Sequence, residues 1–125
     1  MNRALQILIG LSGLLFLVMG LRWAVDPSGA AEGLGMPLMT GLAQSSQVGD
    51  VGGLFLSLGL MILFALVSGR AVWFQAAALL LLNIAIFRLL AWSLHGAALA
   101  AQMIGVEIVI ALLLTGGARR LSEDA

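Results

Sequence analysis

A chain of 125 residues has room for one domain, yet 62% of it is apolar and only 10% charged; soluble domains are roughly 45 to 50% apolar and 25% charged, and a protein this small cannot hide so much apolar surface, so lipid must cover the rest. Six arginines balance six acids, which leaves no basic field for nucleic acid. With no cysteine, disulfides, thiol redox chemistry, thiolate metal sites and haem attachment through cysteine are excluded.

The first predicted element is an apolar helix over 4–21. A helix of about 20 apolar residues crosses a hydrocarbon core about 30 Å thick. Gly10, Gly13, Leu17 and Gly20 recur at three and four residues and share one face of it, the small-residue pattern that lets membrane helices approach closely. The same stretch has an alternative reading as a signal peptide, with Met1-Asn2-Arg3 as the n-region and small residues from Ser28 to Ala31 for cleavage. Its apolar run is longer than the usual h-region, and Arg22 and Trp23 precede any cleavage site, so a retained helix fits better.

A long loop over 22–50 follows. Asp26-Pro27 reads as a helix start, an acid at the cap and proline at the first position, and predicts a short interfacial helix through Ala30, Ala31 and Glu32 that Gly33 and Gly35 end. Met36-Pro37-Leu38-Met39 then offers apolar side chains to the headgroup boundary. The loop is read as a plain connector, with a lid over the mouth of the helices as the alternative.

Three more spans are predicted over 51–67, 71–91 and 97–115. At the start of the second, Gly49, Gly53 and Ser57 are four apart, and Gly52 and Gly59 seven apart. These are packing stripes, for helices of this chain or of a neighbour. The predicted fold is all-α, an integral membrane four-helix bundle forming one transmembrane domain over 1–125. Helices satisfy their own backbone hydrogen bonds in lipid, and the Leu- and Ala-rich runs lack the alternation of barrel strands.

Arg3, Arg70, Arg119 and Arg120 fall on one side, and positive charge is retained on the cytoplasmic side. Both termini are therefore expected inside. Trp23 and Trp92 are expected at the outer interface and Trp73 at the inner one. A chain without lysine or tyrosine and biased to Ala, Leu, Gly and Arg has the composition of a high-GC bacterial gene, which implies a bacterial cytoplasmic (inner) membrane.

Asp50, Asn83, Arg88, His95, Gln102 and Glu107 lie where lipid is expected. A charge near the bilayer centre is costly, so such residues face the interior of the protein and find partners. Arg88, Trp92 and His95 share one face of the third helix, while Asn83 does not join them. Measured from the turn between the last two helices, Glu107 is about four residues deeper than Arg88, roughly 6 Å along the axis. An extended arginine reaches that far, so an Arg88 to Glu107 ion pair is expected, with Asp50 and Gln47 approaching from the outer end of the second helix. Such a cluster either fixes helix register alone or binds a ligand. A metal held by His95, Asp50 and Glu107 is a third, weaker alternative, because a lone histidine lacks a spaced partner. A haem with His95 as sole axial ligand is weak for the same reason, so no cofactor is named. Gln75 and Asn83 read as ordinary interhelical hydrogen-bonding groups, not ligand contacts, and Gln6 is expected near the inner interface.

No Gly-rich phosphate loop, Gly-x-Ser-x-Gly, His-Glu-x-x-His or paired carboxylates one turn apart occur, so an enzyme is the minority expectation. Gly49-Asp50-Val51-Gly52-Gly53, Arg88, His95-Gly96 and Glu107 together resemble the domain-of-unknown-function 4345 family of small bacterial membrane proteins, which is distantly similar to DoxX-type four-helix proteins. The resemblance covers nearly the whole chain and implies a four-helix membrane fold without an established activity. Members often have aspartate where His95 stands, a departure in this chain. The function expected is an interaction or accessory subunit that packs in the membrane against a protein partner or as a homo-oligomer, in contact with membrane lipid. The alternative is a binding or transport module that presents Arg88, His95 and Glu107 to a small anion, a lipid headgroup or a proton.

Overall fold

The computed structural model describes residues 1–124, which form helices and connecting turns, with no strand among them. The order is α1 (Arg3–Val25), α2 (Pro27–Gly33), α3 (Gly41–Ser46), a π-helical segment (Gln47–Gly52), α4 (Gly53–Ser68), α5 (Ala71–His95) and α6 (Ala101–Asp124). Because α3, the π-helical segment and α4 run on without a break, four helices are long and apolar enough to cross a membrane: Arg3–Val25, Gly41–Ser68, Ala71–His95 and Ala101–Asp124. These four helices mark the chain as a membrane protein.

Local chemistry explains most of the boundaries. Asn2 Oδ1 accepts from the Leu5 N–H at 2.8 Å and caps α1, satisfying one of the donors a helix start leaves open. Pro27 disfavours helical backbone at Asp26, and Asp26 instead caps α2 by accepting from the Gly29 N–H at 3.2 Å. α2 closes on Gly35 at φ +74°. There the Gly35 N–H donates to the Glu32 carbonyl and the Met36 N–H to the Ala31 carbonyl, the paired bonds of a Schellman ending. Gly96, at φ +69°, ends α5, and its N–H and that of Ala97 both turn back to the Ala91 carbonyl.

The second long helix departs from the sequence expectation. The segment 41–50, expected as loop, is helical and precedes the predicted start at 51. Glycine, serine and glutamine give it little intrinsic helix preference, and the π-helical stretch through Gly49 and Gly52 accommodates an extra residue within the turn. The other long helices also run past their expected ends, α1 to Val25, α5 to His95 and α6 to Asp124.

The chain divides into two compact units, Leu11–Leu60 and the remainder, Met1–Gly10 with the residues from Met61 onward. In the first, α1 and α4 approach backbone to backbone. A Cβ on Gly20 would lie 2.6 Å from the Leu56 nitrogen, one on Gly59 2.8 Å from the Leu17 nitrogen and 2.9 Å from the Gly13 carbonyl oxygen, and one on Gly52 2.8 Å from Trp23 Cβ. Phe16 and Phe55 stack beside this seam with ring centroids 6.0 Å apart. Trp23 is wholly buried here, so it packs against the chain and does not anchor at a lipid-facing surface. Trp92 is exposed, and Trp73 meets the Phe64 ring edge to face at 5.3 Å, in the other unit.

That second unit is built on α5 and α6 packing together. Its core includes Ile62, Phe74, Ala77, Leu81 and Leu114. Gly117 admits Ile9 and Phe74, whose atoms would be 2.8 and 3.0 Å from a Cβ at that position.

Candidate functional site: an arginine–glutamate pair on facing helices

On α5, Leu81 and Ala85 are buried four residues apart and lead to Arg88 three residues on. On α6, Ile104, Glu107, Ala111, Leu114 and Ala118 form the buried stripe. Spacings of three and four keep each set on one helix face, so Glu107 occupies a position that is otherwise apolar throughout. The Arg88 Nε–H donates to both carboxylate oxygens of Glu107, at 3.0 Å to Oε1 and 3.2 Å to Oε2. The Glu107 side chain is 11% exposed and that of Arg88 29%, so the carboxylate is the deeper partner and the arginine reaches in to it.

The geometry leaves part of the arginine unused. Guanidinium carries five N–H donors, and only Nε is engaged; neither terminal nitrogen makes a hydrogen bond among the described residues. Arg88 also lines a shallow cavity of about 430 Å³ with Leu80, Asn83, Ile84, Phe87 and Ala91. A larger groove of about 620 Å³ between α5 and α6 is walled chiefly by Leu79, Leu82, Ile108 and Leu112, with Gln75 and Arg119 also on it. It contains neither member of the ion pair.

The remaining candidates are placed differently. Gln47 is buried in the π-helical segment. It accepts from the Met39 N–H at 2.8 Å, and its amide donates to the Pro37 carbonyl at 3.0 Å and toward the Met36 sulfur at 3.8 Å. Its carboxamide thus ties the 36–39 stretch to the helix that follows. Sequence reasoning missed this role. The signal for it was glutamine, at Gln44 and Gln47, next to a loop whose proline removes one backbone donor, a place where backbone carbonyls need a partner.

Asp50 and His95 are exposed, and neither side chain makes a hydrogen bond or ion pair among the described residues. Among those residues no three His, Asp or Glu side chains gather as metal ligands would. Of the glycine positions, Gly13, Gly20 and Gly59 lie in the α1–α4 seam. Gly53 and Ser57 are exposed, and a Cβ on Gly53 would meet nothing within 4 Å.

The arrangement can hold two helices in register, and it can offer the spare guanidinium donors to an acceptor. No curated protein and no solved structure matches the chain. A family model described as a domain of unknown function, DUF4345, matches residues 4–117. The glycine-rich start of the second long helix, Arg88, His95-Gly96 and Glu107 all fall within that match, and the chain belongs to the DUF4345 family.

Proposed function

We propose that the protein is a small subunit that works by association within a bacterial cytoplasmic membrane, against a protein partner or copies of itself, with both termini on the cytoplasmic side. The observation that carries this reading is the division of labour among its glycines. Gly20, Gly52 and Gly59 are consumed by close packing inside the chain, whereas Gly49, Gly53 and Ser57 remain uncovered along the second long helix, with nothing within 4 Å of a Cβ at either glycine. Lipid supplies no hydrophobic drive for helix association, and an open stripe of small residues is the surface on which another helix gains the most van der Waals contact. The orientation is supported by Arg3, Arg70, Arg119 and Arg120, which flank one set of helix ends.

Native mass spectrometry of protein extracted gently from its own membrane tests the association reading. The expected spectrum contains a stoichiometric partner protein or a defined homo-oligomer. A lone chain at every protein-to-lipid ratio overturns it.

A second reading is favoured by the unengaged terminal nitrogens of Arg88 beside the cavity lined by Asn83 and Phe87. In that reading the ion pair presents a guanidinium to a small anion or a lipid headgroup, or Glu107 exchanges a proton, and His95 lies nearer the helix end as a further polar contact.

A further inference from the structure

Asn83 is the central residue of α5, twelve residues from Ala71 and twelve from His95. Each arm is roughly 18 Å long at 1.5 Å per residue, and half the hydrocarbon core is about 15 Å. In a helix that crosses the membrane, the Asn83 carboxamide therefore sits close to the midplane. It is exposed and makes no hydrogen bond among the described residues. Hydrocarbon offers a carboxamide neither a donor nor an acceptor, and membrane helices meet this need by hydrogen bonding to another helix.

The surface around Asn83 has the form of a helix contact. Val72, Leu79, Asn83, Ile86 and Leu90 are all exposed, and their spacings of seven, four, three and four trace a heptad seam along one side of α5. One polar residue in an otherwise apolar seam is the pattern that sets register between paired helices. α5 is also the least covered of the four long helices: 17% of its apolar stretch is buried, against 28% for α1 and 33% for each of the other two. Arg88 lies five residues beyond Asn83, about 140° around the helix, and points to Glu107, so the seam carries no charge.

We infer that this face of α5 docks against the same face of a second copy of the chain, with the two Asn83 carboxamides hydrogen bonded to each other at the middle of the membrane. A second copy is the occupant the chemistry selects. Copies inserted with the same orientation bring Asn83 to the same depth, whereas an unrelated partner would need a polar group at that level. A twofold axis along the membrane normal makes the contact self-complementary, and the carboxamide, both donor and acceptor, pairs reciprocally with its own image. This inference rests on the association reading, commits it to a second copy as partner, and assigns that contact to α5, a surface separate from the open glycine stripe of the second long helix.

The chain has no cysteine, so single-cysteine variants report the contact directly in native membranes. Under mild oxidation Leu79→Cys and Ile86→Cys are expected to form covalent dimers, and Val106→Cys, exposed on α6 and away from the groove that Leu79 lines, is not. In lipid nanodiscs the full chain is expected to give a dimer mass. Asn83→Leu is expected to weaken that dimer about tenfold, while Asn83→Gln, which keeps both hydrogen-bonding functions, retains it. An undiminished dimer in Asn83→Leu overturns the inference, as does a dimer that cross-links at Gly53→Cys and not at the α5 positions; both outcomes leave the association reading standing. A stoichiometric second protein with no homodimer does the same. A chain that is monomeric and without partners in membranes and nanodiscs alike overturns both.

Discussion

Arg88 engages Glu107 through a single nitrogen, so the pair differs from a bidentate arginine clamp. Its energetic weight lies mainly in what happens when one member is lost. Removing the arginine leaves a carboxylate with 11% exposure on an otherwise apolar helix face, and an uncompensated buried charge costs more than the intact pair contributes. Because Arg88 is partly exposed, the penalty is discounted from that of a fully buried pair to about 1 to 3 kcal/mol. Arg88→Leu or Glu107→Leu alone should destabilise α5 against α6 by that amount, and the double variant should recover most of it. A denaturant titration of all four proteins in micelles measures this coupling. If the pair only sets register, the double variant also keeps whatever binding or flux the protein supports. If the pair binds a ligand, stability recovers and binding does not.

The two helix pairings depend on different physics. α5 and α6 contain one ion pair and a buried apolar stripe, and their contact was legible in the sequence: spacing placed Arg88 and Glu107 on definable faces, and the short turn fixed their relative depth. The approach of α1 to α4 rests on missing side chains. Gly20→Ala would place a methyl 2.6 Å from a backbone nitrogen, and backbone cannot rotate aside; the helices must separate, at a cost of about 1 to 3 kcal/mol. Gly53→Ala meets nothing and, in a helix interior, should be neutral or stabilising by up to about 1 kcal/mol. Comparing the thermal midpoints of these two variants in the same detergent separates the used stripe from the open one. The sequence spacing was equally suggestive for both, since a small-residue repeat does not say which neighbour it faces. The helical stretch before position 51 was hidden for a related reason: its residues have weak helix preference, and its form depends on contacts such as those Gln47 makes with Met39 and Pro37.

At the scale of the whole molecule, the arginine distribution makes a prediction about insertion. A reporter domain that is active only in the cytoplasm, fused after the last helix, should be active, and one active only outside should be silent. Replacing Arg119 and Arg120 with glutamine should increase the fraction inserted the other way, because the retained positive charges set orientation. The reverse pattern in the unmodified chain would move the Arg88–Glu107 pair to the opposite half of the membrane.

By itself the sequence determined that the chain is helical, that four of its helices are membrane length, and that arginine and glutamate on the last two spans lie within reach of each other. These properties follow from composition, hydrophobic run length and helical periodicity, all of which are local. Only the tertiary structure decided which glycines are packed and which are open, that Trp23 is buried, that Gln47 is bonded to the loop, and that Asn83 is left uncovered at the centre of α5. Each of these depends on what lies across from a residue, and in lipid, where polar and apolar faces do not sort themselves against water, the sequence pattern carries little record of it.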